Sequence, residues 1–553
     1  MDYKKKISEA IGSPLVTADD IMTAAEGHGD YALPCFKYAR QLRKSPQAIA
    51  EDFAAGLGGC DFIERTEVAG GYLNFYLERK AFVRGVMAED PGRPQLRSSG
   101  AGKTACIDYS SINIAKPFHI GHLMSTAIGG SLYRIYKYLG WNVVGINHLG
   151  DWGTQFGKLL AAYEEWGDKT KKLTLGDMLD LYVRFTEESE RDPALAERGR
   201  TEFLRIERGD PDAVRTYEMF KATTLEEVNK VYARLGIKFD SYNGEAFYND
   251  KMQPIIDELE AKGLTEVSDG ALVVRLDDYG MPPCLIRRSD GASLYATRDL
   301  AAAQYRADTY KFDKCLYVVA TQQNLHFRQL FKVLELMGRE WAKNLVHVQF
   351  GMVSYEGKPL STRKGHVVFL ADVIENTVQK AREIIEEKNP DLPNKDAVAE
   401  SVGVGAVMFF ALGTQRIKDV DFDYDRVLSF DGETAPYLQY THARCMSVLA
   451  KAENRAEGEP DPALLTDDDA YAVVRLLSVF GDVVLDAAEK YEPSVIARYL
   501  IDLARSYNRF YIAGRIITDD DALTRARLAL TSAVARTIKT GLRLLLTEAP
   551  DRM

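Results

Sequence analysis

His119 and His122 lie three residues apart around Gly121, where a polar turn gives way to a helical pattern. The first turn of a helix presents unpaired backbone N–H groups and the positive end of the helix dipole. Imidazole N–H groups add donors without committing a full charge, and a glycine lets a flat ring approach the backbone. That combination suits a phosphate, as carried by a nucleotide. A helix start with two hydrogen-bonded surface histidines accounts for the tetrad equally well. The neighbouring residues must decide.

The elements that position the tetrad can be read around it. Residues 105–109 are a short β-prone run, and 110–117 are a polar turn ending in a helix-entry proline. Leu123, Met124, Ile128, Leu132, Ile135 and Leu139 recur at three- and four-residue steps, which predicts a helix over 119–140. Lys137 and Gly140 supply a basic last turn and a C-cap, and 143–146 begins a second strand. This is a βαβ unit, so the fold contains a parallel sheet with the histidines at its carboxyl edge, where open α/β sheets bind ligands. Two more strands, 315–320 and 346–350, flank a predicted helix over 325–337 and complete a doubly wound pattern. Between the halves, 156–236 reads as a charged helical insertion and 271–288 as a hairpin.

The 553 residues suffice for three or four domains, and 46% hydrophobic with 27% charged is an ordinary globular composition. A net charge of −11 argues against broad nonspecific nucleic-acid binding, though not against a local basic surface. No apolar run reaches membrane-spanning length. Six dispersed cysteines without a CxxC pair read as reduced thiols of a cytoplasmic protein, and no metal site is visible. Residues 39–57 are helical in pattern with Ser45 as an N-cap, 70–77 suit a strand, and 91–102 form a linker. From residue 372 the pattern is almost wholly helical. Positions 490–553 carry eleven Lys/Arg against seven Asp/Glu, with Arg498, Arg505, Arg509, Tyr507 and Tyr511 at helical spacing, a mixture suited to unstacked RNA bases.

Asp108, Asn113, Lys116 and the tetrad, followed by Asn147-His148-Leu149-Gly150-Asp151-Trp152-Gly153, resemble the HIGH region of class I aminoacyl-tRNA synthetases. Within that class they resemble the arginyl-tRNA synthetases. The glycine-bounded segment 357–365, with Lys358, Arg363 and Lys364, alone reads either as a basic surface hairpin or as a loop over a triphosphate. In this context it resembles a degenerate KMSKS motif, with Pro359 and Leu360 where its first lysine and methionine would stand. Segments 29–36 and 71–75 resemble the family's appended N-terminal domain, and the C-terminal helices resemble its anticodon-binding domain.

The resemblance implies an α/β fold: a Rossmann-type catalytic domain over 101–375 with an insertion at about 158–250. It adds an N-terminal α+β domain over 1–100, connecting helices over 376–430 and an all-α bundle over 431–553. It also implies a ligase that activates arginine with ATP and Mg²⁺, without a structural metal, and charges tRNA as a cytoplasmic monomer. His119, His122, Lys116, Arg363 and Lys364 would stabilise phosphate charge, with Gly121, Gly150, Asp151, Met352 and Ser361 as further ATP contacts. Asp108, Asn113, His148, Tyr295, Asp299 and Gln323 match the arginine-binding positions. A guanidinium wants carboxylates around its rigid fork of donors, and Tyr295 and Asp299 share a face if their segment is helical. Tyr440, Arg444, Arg498, Arg505 and Arg509 would face tRNA. Two rival classes remain. A small-molecule adenylyltransferase would not need the appended domains, and a noncatalytic RNA-binding relative would not need both histidines, Lys116 and Asp299.

Overall fold

The computed structural model describes residues 3–24, 27–57, 60–90, 96–116, 118–288, 295–359, 368–452 and 458–553. Its centre is a four-stranded parallel sheet in the spatial order Leu345–Phe350, Lys314–Ala320, Thr104–Asp108, Asn142–Ile146. Alternation along the strands sends side chains into two separate cores. Ala105, Ile107, Leu316, Val318 and Val348 join one, and Cys106, Ile146, Cys315, Tyr317 and Leu345 join the other. Strands covered on both faces must be apolar almost continuously, and these are.

The first core receives the helix Leu123–Tyr138, twelve of whose sixteen residues are buried. So deep a helix is met from its outer side as well. Ser131 Oγ donates to the Leu544 carbonyl at 2.8 Å and Tyr136 OH to the Ala488 carbonyl at 2.9 Å, both in the C-terminal helical region. Gly130 permits the approach, because a Cβ there would collide with Ile237 and crowd Leu546. The second core receives the helices Tyr295–Tyr310 and Asn324–Leu336.

Around this centre lie four smaller units. The N-terminal residues form an antiparallel sheet of Met22–Thr23, Tyr31–Pro34, Tyr72–Leu77 and Ile63–Ala69. The insertion is four helices, Thr154–Trp166, Leu175–Ser189, Pro193–Glu207 and Pro211–Arg234. Glu266–Ser268, Ala271–Val274 and Cys284–Arg287 make a three-stranded antiparallel sheet. The C-terminal bundle holds Ala435–Ala452, Asp468–Ser478, Phe480–Glu489, Ser494–Ala513 and Asp521–Leu544. Among the described residues no helix is long and apolar enough to cross a membrane.

Several expectations are corrected in detail. The helix expected over 39–57 breaks at Arg43, whose φ of 53° ends one helix before Ser45 caps the next by accepting from the Ala48 N–H. The strand expected from residue 70 starts at Tyr72, because Gly70 and Gly71 (φ 58° and 86°) make the turn. The hairpin gains Glu266–Ser268 as a third strand. The region expected to be helical past residue 372 contains Val420–Phe422, which pairs in parallel with Val353–Tyr355.

Candidate active site

The loop leaving strand Thr104–Asp108 is held in an unfavourable backbone conformation. Ser110, Ser111 and Ala115 have φ of 69°, 44° and 59°, a region that costs an L-residue roughly 1–2 kcal/mol. Buried hydrogen bonds hold it there. Ser110 N–H donates to Ser125 Oγ at 2.9 Å, and Ser110 Oγ bonds Thr126 Oγ1 at 2.8 Å and Tyr232 OH at 2.7 Å. The Ala115 N–H donates to Thr224 Oγ1 at 3.2 Å. Strain of this kind persists only where the surroundings over-determine it, and here it fixes the approach to the tetrad.

The tetrad forms one 3₁₀ turn, Ile120–His122, before the α-helix begins at Leu123. His119 caps that turn. Its Nδ1 accepts from the Gly121 N–H at 3.0 Å. The two histidine ring centroids are 4.0 Å apart. The Gly121 bond assigns the His119 proton to Nε2, whereas His122 Nδ1 lies 3.3 Å from both the N–H and the carbonyl of His119 and so fits either tautomer. Burial lowers the His119 pKa; burial, then the neighbouring His119 and Lys116, bring that of His122 to about 3. The pair is therefore two neutral N–H donors.

The backbone of 368–370 is bonded to this turn: Ile120 N–H donates to the Val368 carbonyl and Leu370 N–H to that of Phe118, each at 3.0 Å. Upstream, Lys358–Pro359 pairs with Val353–Tyr355. Ser361, Arg363 and Lys364 lie outside the described residues; Phe369, further along, bridges to His119. Met352, half exposed, follows strand Leu345–Phe350, and its N–H donates to Asp419 at 2.6 Å.

The other expected residues gather at the same sheet edge. Asn113 follows the first strand, with its Oδ1 over Gly150, and the two residues bridge their loops. His148 follows the second strand and Gln323 the third. Tyr295 opens the helix Tyr295–Tyr310, which carries Asp299 one turn later. Two of the expected carboxylates are already engaged. Asp108 pairs with Arg306 at 2.7 Å and accepts from Ser111 Oγ at 2.8 Å. Asp151, fully buried, pairs with Lys221 at 2.8 Å and accepts from the Ala246 N–H at 2.9 Å, which ties the turn to the insertion rather than leaving a carboxylate open to ATP.

Asp299 differs. Its Oδ2 meets His326 Nε2 at 2.7 Å and its Oδ1 lies 3.8 Å from His148 Nε2. Burial lowers the His148 pKa, so that ring is neutral; its Nδ1 is 3.4 Å from Arg306. Glu245 faces Arg298 at 3.4 Å, and burial raises its pKa to about 7 despite Arg298. Asp108 and Glu245 each face an arginine, whereas Asp299 faces imidazoles.

Arg306, His326, Lys221 and Glu245 were not among the expected residues. Arg306 carried no usable signal, since its helix also holds Arg298, Asp299 and Asp308. Lys221, seventy residues from Asp151, had none.

In the C-terminal bundle Arg444 stacks on Tyr440 and Tyr511 (5.0 and 5.2 Å) and donates to Asn508 at 2.6 Å. Arg498, Arg505 and Arg509 are exposed on one helix, with Arg505 paired to Glu433 at 3.2 Å. Ile512, 80% exposed, extends that surface. Tyr507 does not belong to it: the ring is fully buried and fills the bundle core.

Comparison with known proteins agrees with this geometry along the whole chain. The family described as tRNA synthetases class I (R), catalytic domain, matches residues 88–424. The chain belongs to the class I arginyl-tRNA synthetases. An arginyl-tRNA synthetase N-terminal domain matches residues 1–77 and a DALR anticodon-binding domain 438–553. The arginine–tRNA ligases of Alkaliphilus metalliredigens and Halothermothrix orenii are 47% and 46% identical over 100% of both chains. The arginyl-tRNA synthetase structure of Thermus thermophilus superposes with a TM-score of 0.86 at 29% identity, covering 100% of this chain and 99% of that one. For an arginyl-tRNA synthetase the three matched segments are the expected complement, which sets aside the small-molecule adenylyltransferase.

Proposed function

We propose that the cleft at the sheet's carboxyl edge activates arginine with MgATP as its adenylate and then charges tRNA, with His119 and His122 on phosphate and Asp299 on the guanidinium. The single observation that supports the cation site is the charge balance around Asp299. A largely buried carboxylate whose ion-pair neighbours among the described residues are both imidazoles attracts a cation far more than one already paired with arginine does. Gln323, Asn113 and His148 at neighbouring strand ends complete the pocket, and Tyr295 is assigned to it from its position one helical turn before Asp299. Glu245, through Arg298, and Asp108, through Arg306, shape its far wall.

Attack of the arginine carboxylate on the α-phosphorus expels pyrophosphate, and such in-line transfer needs positioning and charge neutralisation more than a side-chain nucleophile. The ring N–H groups of His119 and His122 donate to phosphate oxygens, and Gly121 and the Gly150 backbone leave room for the nucleotide. Met352 and Ser361 are assigned as its further contacts. Lys116, Arg363 and Lys364 add full charges, and Mg²⁺ arrives with ATP. The aromatic–basic surface of Tyr440, Arg444, Arg498 and Arg509 takes tRNA bases. Charging of total tRNA with each of the twenty amino acids tests the reading. Acceptance of arginine alone is expected, and acceptance of another amino acid with no arginine overturns it.

A further inference from the structure

A cavity of about 950 Å³ lies far from the histidine tetrad, where the last turns of helices Leu123–Tyr138 and Asp521–Leu544 meet the turn after Arg234. Its lining includes six cations: Arg134, Lys137, Lys238, Arg536, Lys539 and Arg543. Glu548 is the one carboxylate residue among the described lining residues. Arg536 is held by Asp90 at 3.0 Å and Lys539 by Asp551 at 3.2 Å. The remaining four have no carboxylate within ion-pair distance among the described residues. Arg134 donates instead to the carbonyls of Arg543 and Gly236, at 2.7 and 3.1 Å. Lys137 lies over the Tyr133 ring at 5.5 Å.

Cations at helix C-termini are ordinary, since each such end carries about half a negative charge. Three helices end here, yet that partial charge together with Glu548 does not offset four unpaired cations. Burial lowers the Arg134 pKa, and the Arg543 charge adds to the fall. On a chain of net charge −11 this is a local excess of the opposite sign.

Small-molecule pockets of this size carry only a few polar groups, whereas this one is lined by six cations spread over three separate segments. Residues 536–543 alone run about 10 Å along their helix, more than one phosphate spans and matched to a strand carrying one charge every ~3.4 Å. We propose that this groove binds the phosphodiester backbone of tRNA, at a surface separate from both the cleft and the Arg444 face. The inference takes tRNA as the substrate proposed above. Its failure leaves charging intact, whereas failure of that reading abolishes charging by the unsubstituted protein.

The test is filter binding of tRNA across a potassium chloride series. The triple variant Lys137→Ala, Lys238→Ala, Arg543→Ala removes exposed side chains only. It should bind about tenfold more weakly at low salt, with a log–log salt slope shallower by about two. Its KM values for ATP and arginine at saturating tRNA should be unchanged. Glu548→Gln should tighten tRNA binding, a gain that misfolding cannot mimic. An unchanged affinity and slope in the triple variant overturns the proposal, as does unchanged binding by Glu548→Gln. Inorganic tripolyphosphate serves as the small-anion probe. If the triple variant loses its binding while tRNA binding stays as in the wild type, the groove holds a small anion and the proposal fails.

Discussion

The two halves of the cleft solve opposite electrostatic problems with opposite means. On the phosphate side the donors are neutral and fixed by backbone: His119 and His122 cap one turn, and a strained loop held by Ser125, Thr126 and Thr224 leads into it. On the side proposed for guanidinium, carboxylates, an arginine and imidazoles hold one another, in a largely buried run from Asp108 through Arg306 and His148 to Asp299 and His326. Neutral donors suit a ligand that would bring its own magnesium and meet the proposed cations Lys116, Arg363 and Lys364. A single uncompensated carboxylate suits a ligand that brings one positive charge. The difference teaches that precision comes from the backbone where charge would be excessive, and from paired charge where the pocket must stay selective.

Breaking the charged half should have the largest effect. Arg306→Ala leaves Asp108 buried and unpaired and should cost about 3–5 kcal/mol of stability in chemical denaturation; a loss below about 1 kcal/mol would remove the ion pair from the account. His122→Ala takes one donor from the neutral half. The activation rate should fall about 10²–10³-fold with arginine binding nearly unchanged, and the reverse pattern would place this residue outside the phosphate site. Asp299→Ala should raise the arginine KM roughly 30–100-fold, about 2–3 kcal/mol, with the ATP KM unmoved. An unchanged arginine KM would undo the cation assignment.

The smallest effect is the response of the neutral half to acid. His122 shifts from 6.5 to about 3 on folding. Between those values the unfolded chain binds a proton that the folded chain refuses, so stability falls as pH falls through that window. At about 1.4 kcal/mol per pH unit, the wild type should lose about 2 kcal/mol by pH 5 through this residue alone. Thermal melts at pH 7 and pH 5 should show a smaller acid loss for His122→Gln; parallel losses would show that the ring is not held neutral.

The neutral half was legible in the sequence because it is local. Tetrad, preceding strand and following helix lie within one βαβ unit, and the period of Leu123 to Leu139 fixes which face is buried. Tyr295 and Asp299 were legible for the same reason. What escaped was long-range pairing. Nothing near Asp151 points to Lys221, and nothing near Asp108 points to Arg306, so their carboxylates read as available when they are engaged. Val420–Phe422 escaped because three residues carry too little pattern to stand out between helices. The break at Arg43 escaped because its left-handed φ belongs to a residue type that seldom adopts one.

The helix Leu123–Tyr138 joins these regions mechanically. At sixteen residues it is a rod of about 24 Å, with the histidine turn at one end and the anchors of Ser131, Arg134 and Tyr136 to the C-terminal bundle toward the other. A rod buried along most of its length transmits displacement instead of absorbing it. Movement of the bundle would therefore reach the proposed nucleotide end as a change in aim of two imidazoles, and such leverage would be reciprocal: whatever RNA docking did to the histidines, a bound nucleotide would do to RNA docking with equal free energy.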